Sequence, residues 1–547
     1  ADVDIVEVEK LFKYVEREVK PQILPFYTCD GPEGEVGVWT RVSTGEVMGE
    51  DFDPLMLMPE ERKEYSYEGP EIIYNFWAKH GPCSVSGCGH RTPLMSTPVI
   101  AFKTLTVKAW LNRECKSCSG TYDLELNQAR MAPDVRLVVS EGESPFAVMN
   151  HEGEYYCPHC NIRSVDTAAL IKNESTALPK KQRKNKKVTL TLLVSHDWLA
   201  GDSGEDNIGP LGGTPNSDYA GTQRWNSKRS DSLELIEYRG ELPDEITVPG
   251  KSQPLKTRVA NISRAGRFVC AEATCGREQA IVKSVKSSGD MAPSSSFALQ
   301  GYSESRKGDG LPYNGRFFKQ ITERDVARMN AAEEEWNRRK GLDLAEYWPR
   351  SEIPFGHMTH QRQPLPDHGY QCFSDFFNSR QLLVLSTLLK AIDTAHGFSD
   401  ATKEIVLGAF QQYVRNQNMM SFWHIKADKL ASFMSNANYH PKGLPVESAV
   451  FPALGLGNWE SCTRSILKAL EWKKKPWELV PTSELISINN EFESLLNGKS
   501  FKVETSDPLP PVDDVFCGSS TELSSIPNGS LDMVITDPPF GDFLHYS

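Results

Sequence analysis

Near the end of the 547-residue chain, an apolar and β-branched run, Leu531-Asp532-Met533-Val534-Ile535-Thr536, leads straight into Asp537-Pro538-Pro539-Phe540. The run reads as a buried strand. The two prolines lack the N–H that a ladder needs, so they end the strand and stiffen the loop after it. A stiff loop at the carboxyl end of a strand is where an open α/β sheet binds its ligands. An acid, two rigid prolines and an aromatic ring at such a tip suit the grip of a planar base that carries an exocyclic amino group. Just upstream, Asp514-Val515-Phe516-Cys517 reads as a short strand and Gly518-Ser519-Ser520 as a small-residue turn. A brief helix and a second turn complete one βαβ unit, with the turn at 518–520 beside the Asp537 tip.

Cysteine supplies the second chemistry. Of twelve cysteines, eight fall in close pairs: Cys83 with Cys88, Cys115 with Cys118, Cys157 with Cys160, and Cys270 with Cys275. Two thiolates on one tight turn make half a tetrahedral zinc site, and a second pair completes it. Eight sulfurs suffice for two zinc ions. The pairing stays open: Cys83/Cys88 with Cys115/Cys118 is nearest in sequence, and crossed pairings serve equally well. His80, His90 and His159 are spare ligand candidates for which a surface or supporting role is expected. A closed four-thiolate site staples a small module that has little core of its own. All twelve cysteines make up only about 2% of the chain, too few for a disulfide scaffold, and their close pairs point to metal in a reducing cytoplasm.

A net charge of −13 excludes a chain that is basic throughout, so any nucleic-acid contact is local. The sharpest positive run is Lys180-Lys181-Gln182-Arg183-Lys184-Asn185-Lys186-Lys187. Its six cations are the phosphate-contact candidates, with a solvated loop as the plain alternative. No apolar run is long enough to span a bilayer, and the acidic start lacks a signal pattern. The non-Met start and the stop just past the Asp537 loop suggest a fragment at both ends.

These groups need elements to position them. Val8, Leu11, Phe12, Val15 and Val19 form one stripe of a helix over Val6 to Val19, with Pro21 as its expected stop. Thr322-Glu323-Arg324-Asp325 supplies a capping box for a charged, exposed helix that reaches Arg339. A buried helix opens at Asn378 or Ser379, and further helices are expected over 400–418, 421–434, 461–471 and 482–496. On these, Arg415, Asn416 and Trp423 read as core or buried-network residues. Residues 201–232 form a long polar loop. Four segments result: a helix and zinc-ribbon region (1–172), a second insert with the basic run and a cysteine pair (173–365), a helical region (366–500) and a truncated catalytic unit (501–547). The expected class is mixed α/β, with a partial Rossmann-like sheet at the end of the chain.

The C-terminal unit resembles the catalytic half of an amino-methylating DNA methyltransferase, in which an (Asp/Asn/Ser)-Pro-Pro-aromatic loop follows a strand. More narrowly, the chain is similar to the adenine-specific DNA methylases that contain a zinc ribbon. The matching pieces are Cys88-Gly89-His90-Arg91-Thr92-Pro93-Leu94-Met95, Phe373-Ser374-Asp375-Phe376-Phe377-Asn378-Ser379-Arg380-Gln381-Leu382-Leu383 and Asp532 to Phe540. The resemblance implies S-adenosylmethionine as methyl donor, double-stranded DNA as substrate, and a zinc-bearing insert that reads the target. Asp537, Pro538, Pro539 and Phe540 then carry catalysis, and Ser519, Ser520 and Asp537 lie on the cofactor side. Restriction or phage-defence systems, with other subunits as partners, use such chemistry. The family's Gly-rich cofactor loop is missing: Gly455-Leu456-Gly457 is a weak G-x-G with no convincing strand before it. On the family's order that loop lies upstream of Ala1, so the chain alone is expected to bind the cofactor poorly. Amino methylation of cytosine, RNA or protein glutamine uses the same loop. A zinc-dependent DNA-binding or assembly module without its own catalysis is the alternative from another class.

Overall fold

The computed structural model describes residues 3–85, 91–106, 108–126, 135–138, 148–149, 154–163, 187–194, 233–247, 254–258, 262–263, 266–270, 275–288, 291–292, 294–307, 315–362, 365–425, 429–432, 444–452, 454–481, 503–506, 524, 526–530 and 532–534. The fold is mixed α/β with a curled β half-barrel. Its first helix, Ile5–Ile23, is capped by Asp4, whose carboxylate accepts from the Val6 N–H at 2.9 Å. The stripe Val8, Leu11, Phe12, Val15 and Val19 is buried as its spacing requires. Pro21 does not stop the helix. Its missing N–H weakens the last turn, but Val19 and Ile23 continue the buried stripe, and packing outweighs one lost bond.

This helix packs with Ser379–Asp393, Asp400–Asn416 and Trp459–Lys474 into a helical layer. The layer meets a five-stranded sheet through Ile72, Leu299 and Phe317. In that sheet the strands Arg316–Gln320, Ser294–Tyr302, Glu71–Pro82 and Val446–Ser448 lie in this order, and Arg91–Pro93 pairs off Glu71–Pro82. The sheet therefore draws on three of the four segments delimited by sequence. A second sheet orders Leu235–Arg239, Lys187–Val194 and Val99–Thr106; a third orders Thr121–Leu126, Lys108–Glu114 and Val135–Val138.

Every strand pair among the described residues is antiparallel. The expected partial Rossmann-like sheet, which is built on parallel strands, is not among them. Asp532, Met533 and Val534 belong to no strand, and Met533 and Val534 are 75% and 69% exposed. Among the described residues these three have no strand partner, and without one a strand has nothing to hold its register.

Two other expectations change. The segment 421–434 is not a helix: Phe422–His424 and Lys429–Ala431 pair as strands, with Trp423 buried opposite Leu430. The aromatic run Phe422-Trp423 fits a pleated, half-buried surface better than a helix. The helix Glu323–Arg339 has the anticipated Thr322–Asp325 capping box, yet it is not merely exposed, since it buries Met329, Ala332, Glu335, Trp336 and Arg339. The helix opening at Asn378 runs Ser379–Asp393, and the next runs Asp400–Asn416. The expected helix over 482–496 and the loop over 201–232 lie outside the described residues.

One buried carboxylate ties the layers together. Glu447, in the strand Val446–Ser448, is fully buried. It accepts from Arg380 Nε at 2.7 Å and Nη2 at 2.9 Å, Tyr27 Oη at 2.8 Å, Asn378 Nδ2 at 3.0 Å and Trp77 Nε1 at 3.1 Å. Arg380 also donates to the Phe26 carbonyl at 3.0 Å and stacks over the Tyr27 ring. Burial alone raises the Glu447 pKa. The Arg380 charge and the hydrogen bonds from Arg380, Tyr27 and Asn378 outweigh it and hold the carboxyl below its ordinary value.

Candidate metal centres

Four hairpin tips carry the clustered cysteines; at the fourth, Cys83 directly follows Pro82, which pairs with Arg91. The strands Lys108–Glu114 and Thr121–Leu126 pair up to Glu114 opposite Thr121, so Cys115 to Gly120 form the tip between them. Tyr156 bridges Arg163, and Cys157 to Ile162 close a second tip. Arg267–Val269 pairs with Glu278–Ala280, which places Cys270 and Cys275 at a third.

The first two tips share one backbone pattern. Cys115 N–H donates to the Gly120 carbonyl at 3.0 Å, and Ser119 N–H to the Cys115 carbonyl at 2.8 Å. Cys157 N–H donates to the Ile162 carbonyl at 3.0 Å, and Asn161 N–H to the Cys157 carbonyl at 2.9 Å. Ser119 and Asn161, each just past the second cysteine, hold φ of 55° and 56°, and Gly276 holds 53° after Cys275. Non-glycine residues seldom enter that left-handed region, and Asn enters it most easily. Here the turn needs it to aim both sulfurs to the same side.

The result is two clusters. Cys115, Cys118, Cys157 and Cys160 bring their sulfurs within 4.8 Å of one another, and Cys83, Cys270 and Cys275 do the same. Cys115 and Cys160 sulfurs are 3.7 Å apart, Cys118 and Cys157 3.8 Å, and Cys83 and Cys275 3.7 Å. A tetrahedral zinc with metal–sulfur bonds of about 2.3 Å sets its sulfurs about 3.8 Å apart. The donor set and the spacing therefore both fit zinc. The open pairing closes as a crossed one: the second and third pairs share one site, and Cys83 of the first pair joins the fourth pair in the other. Cys88, the sequence partner of Cys83, lies outside the described residues.

Electrostatics fit thiolate ligands in the first cluster. The backbone N–H groups of Ser117 and Cys118 hold the Cys115 thiol down at about 6. At Cys118 the Gly120 N–H works the same way, but burial and the neighbouring sulfurs prevail and push it up to about 12. Without a cation, a second thiolate beside the first is opposed; a bound zinc removes that opposition and releases protons.

Supporting residues complete the picture, and some had no sequence signal. Gln279 donates its amide to the Cys83 sulfur at 3.0 Å and accepts from the Ser84 N–H and hydroxyl at 2.8 and 2.7 Å. His159, a spare ligand candidate, packs on Gly120 instead, and its Nε2 meets the Thr121 carbonyl at 2.7 Å. A side chain at position 120 would collide with that ring at 2.8 Å. His80 is fully buried in the strand Glu71–Pro82 and belongs to neither cluster; His90 lies outside the described residues.

The remaining candidates divide differently. Lys180, Lys181, Arg183, Lys184, Lys186, Ser519, Ser520, Asp537, Pro538, Pro539 and Phe540 all lie outside the described residues, and Lys187 only opens the strand Lys187–Val194. Gly455-Leu456-Gly457 does follow a strand, Val446–Ser448, and precedes the helix Trp459–Lys474. It is nevertheless closed to a cofactor. Cβ atoms on the two glycines would meet Ile73 and Asn416, the Leu456 N–H donates to the Tyr74 hydroxyl at 2.6 Å, and the Gly457 N–H donates to Ser461 at 3.1 Å. The glycines serve close packing, and this turn does not fit S-adenosylmethionine. Arg415 and Asn416 bond locally, to Ser432 and to the Gln412 carbonyl, as core-supporting residues do.

No protein-family model, curated protein or solved structure matches this chain.

Proposed function

We propose that this chain is the zinc-stapled part of an S-adenosylmethionine-dependent methyltransferase that modifies the exocyclic amine of adenine in DNA. The observation that carries the reading is the sequence Asp537-Pro538-Pro539-Phe540 behind an apolar run. The Asp537 carboxylate accepts one N–H of the amine and the Pro538 carbonyl the other, which biases the nitrogen toward tetrahedral geometry. Phe540 stacks on the base once it is flipped out of the duplex. The clusters around Cys115 and Cys83 support the reading as metal staples of a DNA-facing insert; neither is assigned a catalytic step. Mapping adenine modification in cells that carry the protein or its Asp537→Ala variant tests the proposal. Loss of the modification is expected, and an unchanged pattern overturns it.

A second reading is favoured by the exposure of Met533 and Val534 outside any strand. On that reading the chain is a zinc-dependent DNA-binding or assembly module, and catalysis belongs to another chain. Adenine mapping in cells beside a DNA-binding titration separates the two. Modification that depends on Asp537 supports the first reading, and zinc-dependent DNA binding with modification unchanged in Asp537→Ala supports the second.

A further inference from the structure

We propose that the exposed end of the helix Trp459–Lys474, with the turn after it, is a binding surface for single-stranded DNA. The helix divides its faces cleanly. Trp459 and Cys462 are buried, and Ile466, Leu467 and Leu470 pack against the main core. The opposite stripe carries Arg464, Lys468, Trp472 and Lys475, all exposed, at helical spacing. Lys473 and Lys474 flank the stripe, and Trp477 follows it. Trp472 and Trp477 stand 45% and 42% exposed. They are fixed to each other, because the Trp472 indole N–H donates to the Trp477 carbonyl at 2.9 Å. Beyond them, Glu478 exchanges bonds with Ser506 at 3.0 and 2.8 Å, which anchors the far side of the turn on the strand pair Leu479–Pro481 and Val503–Thr505. Three exposed lysines thus lie in sequence between two exposed tryptophans that are bonded to each other.

Charge selects the partner. The chain carries −13 overall, yet Arg464 to Glu478 holds five cations against Glu471 and Glu478. Arg464 pairs with Glu460 at 2.6 Å, whereas Lys468, Lys473, Lys474 and Lys475 form no ion pair among the described residues. Lysines in the last turn do complement the helix dipole, which accounts for one or two of them. It does not account for two half-exposed tryptophans locked beside them. Free ammonium groups interleaved with flat aromatic faces match a phosphate backbone whose bases are unstacked. A membrane surface fits less well, because the apolar face of the helix is already spent on the core and two rings leave little to insert. The inference does not rest on the methyl-transfer reading: Asp537→Ala should abolish modification and leave this binding intact.

The test is fluorescence anisotropy of a labelled oligothymidine strand titrated with the full chain, with a duplex and phosphatidylserine vesicles as the other arms. The combined Lys473→Gln, Lys474→Gln and Lys475→Gln variant should bind the strand at least about tenfold more weakly at low salt. Its slope of log affinity against log salt should be shallower by about 2, at about 0.7 per phosphate contact. Trp472→Ala should weaken the single strand by about tenfold and the duplex little, and Trp472→Phe should restore most of it. Wild-type melting of each variant shows that the fold is intact. Wild-type affinity in both the lysine and the Trp472→Ala variants overturns the proposal, as does a defect confined to the vesicles.

Discussion

The module around Leu111 and the helical core around Leu388 are held by opposite means. Among the described residues, the module's buried apolar cluster comprises Leu111, Tyr122 and Leu124 with the sulfurs of Cys115 and Cys157. The helical core joins five of the described helices to a sheet through side chains such as Leu11, Trp336, Leu383, Val406 and Trp459, and it closes over a carboxylate that accepts five hydrogen bonds. A few buried rings and leucines cannot offset the chain entropy of the two hairpin tips, so metal ligation takes over that task. The larger core has apolar area to spare and uses its polar atoms to fix one arrangement of layers. The lesson is that stability here is partitioned: removing metal and removing the buried ion pair should damage different parts of the molecule.

Chelation, or Cys157→Ser, should have the largest effect. Structural zinc in small modules is worth about 10–16 kcal/mol at neutral pH, so residues 108–163 should lose protection in hydrogen exchange while the helix Ser379–Asp393 keeps it. Equal loss in both regions would erase the contrast. Acid should act on both: ligand sulfurs take up protons and release zinc, the more readily the lower the pH.

Next comes Glu447→Ala, which strands Arg380 in the core and should cost about 3–5 kcal/mol in denaturant unfolding, with zinc content unchanged. Tyr27→Phe removes one of the bonds to the same carboxylate and should cost about 1.5–3 kcal/mol. The Glu447 pKa is lowered on folding, so its contribution is full above the ordinary carboxylate value of about 4.3 and is lost as pH falls through the folded value. Chelated protein should therefore still show an acid transition that Glu447→Gln flattens; an unaltered transition would place that stability elsewhere. The smallest effect should be at the second cluster. Gln279→Leu removes an amide donor to Cys83 and should weaken zinc binding there by about 10–100-fold, without touching the Cys115 cluster.

Local patterns were legible where one element decides the outcome. The stripe from Val8 to Val19, the Thr322–Asp325 box and the Asn378 cap each depend on residues within a turn or two. The cysteine pairs were equally plain, because a C-x2-C turn shapes its own loop. Which pairs meet was not legible: Cys83 joins Cys275 at a separation of 192 residues, which no spacing rule encodes. Glu447 likewise meets Arg380 67 residues away and Tyr27 420 residues away. The segment 421–434 misled because its apolar content suits either period until a neighbouring strand selects one. Of the run before Asp537 only Asp532 to Val534 are described, and they lie in no strand, since a strand pattern is realised only beside a partner strand.

The crossed pairing of the cysteines is the claim on which the partition rests, and zinc counting on a double variant tests it most directly. Cys115 and Cys157 lie in one cluster. Native mass spectrometry of the Cys115→Ser, Cys157→Ser double variant should therefore show one zinc per chain against two for the wild type. A double variant that holds no zinc would mean that each residue serves a different ion, and would contradict the account.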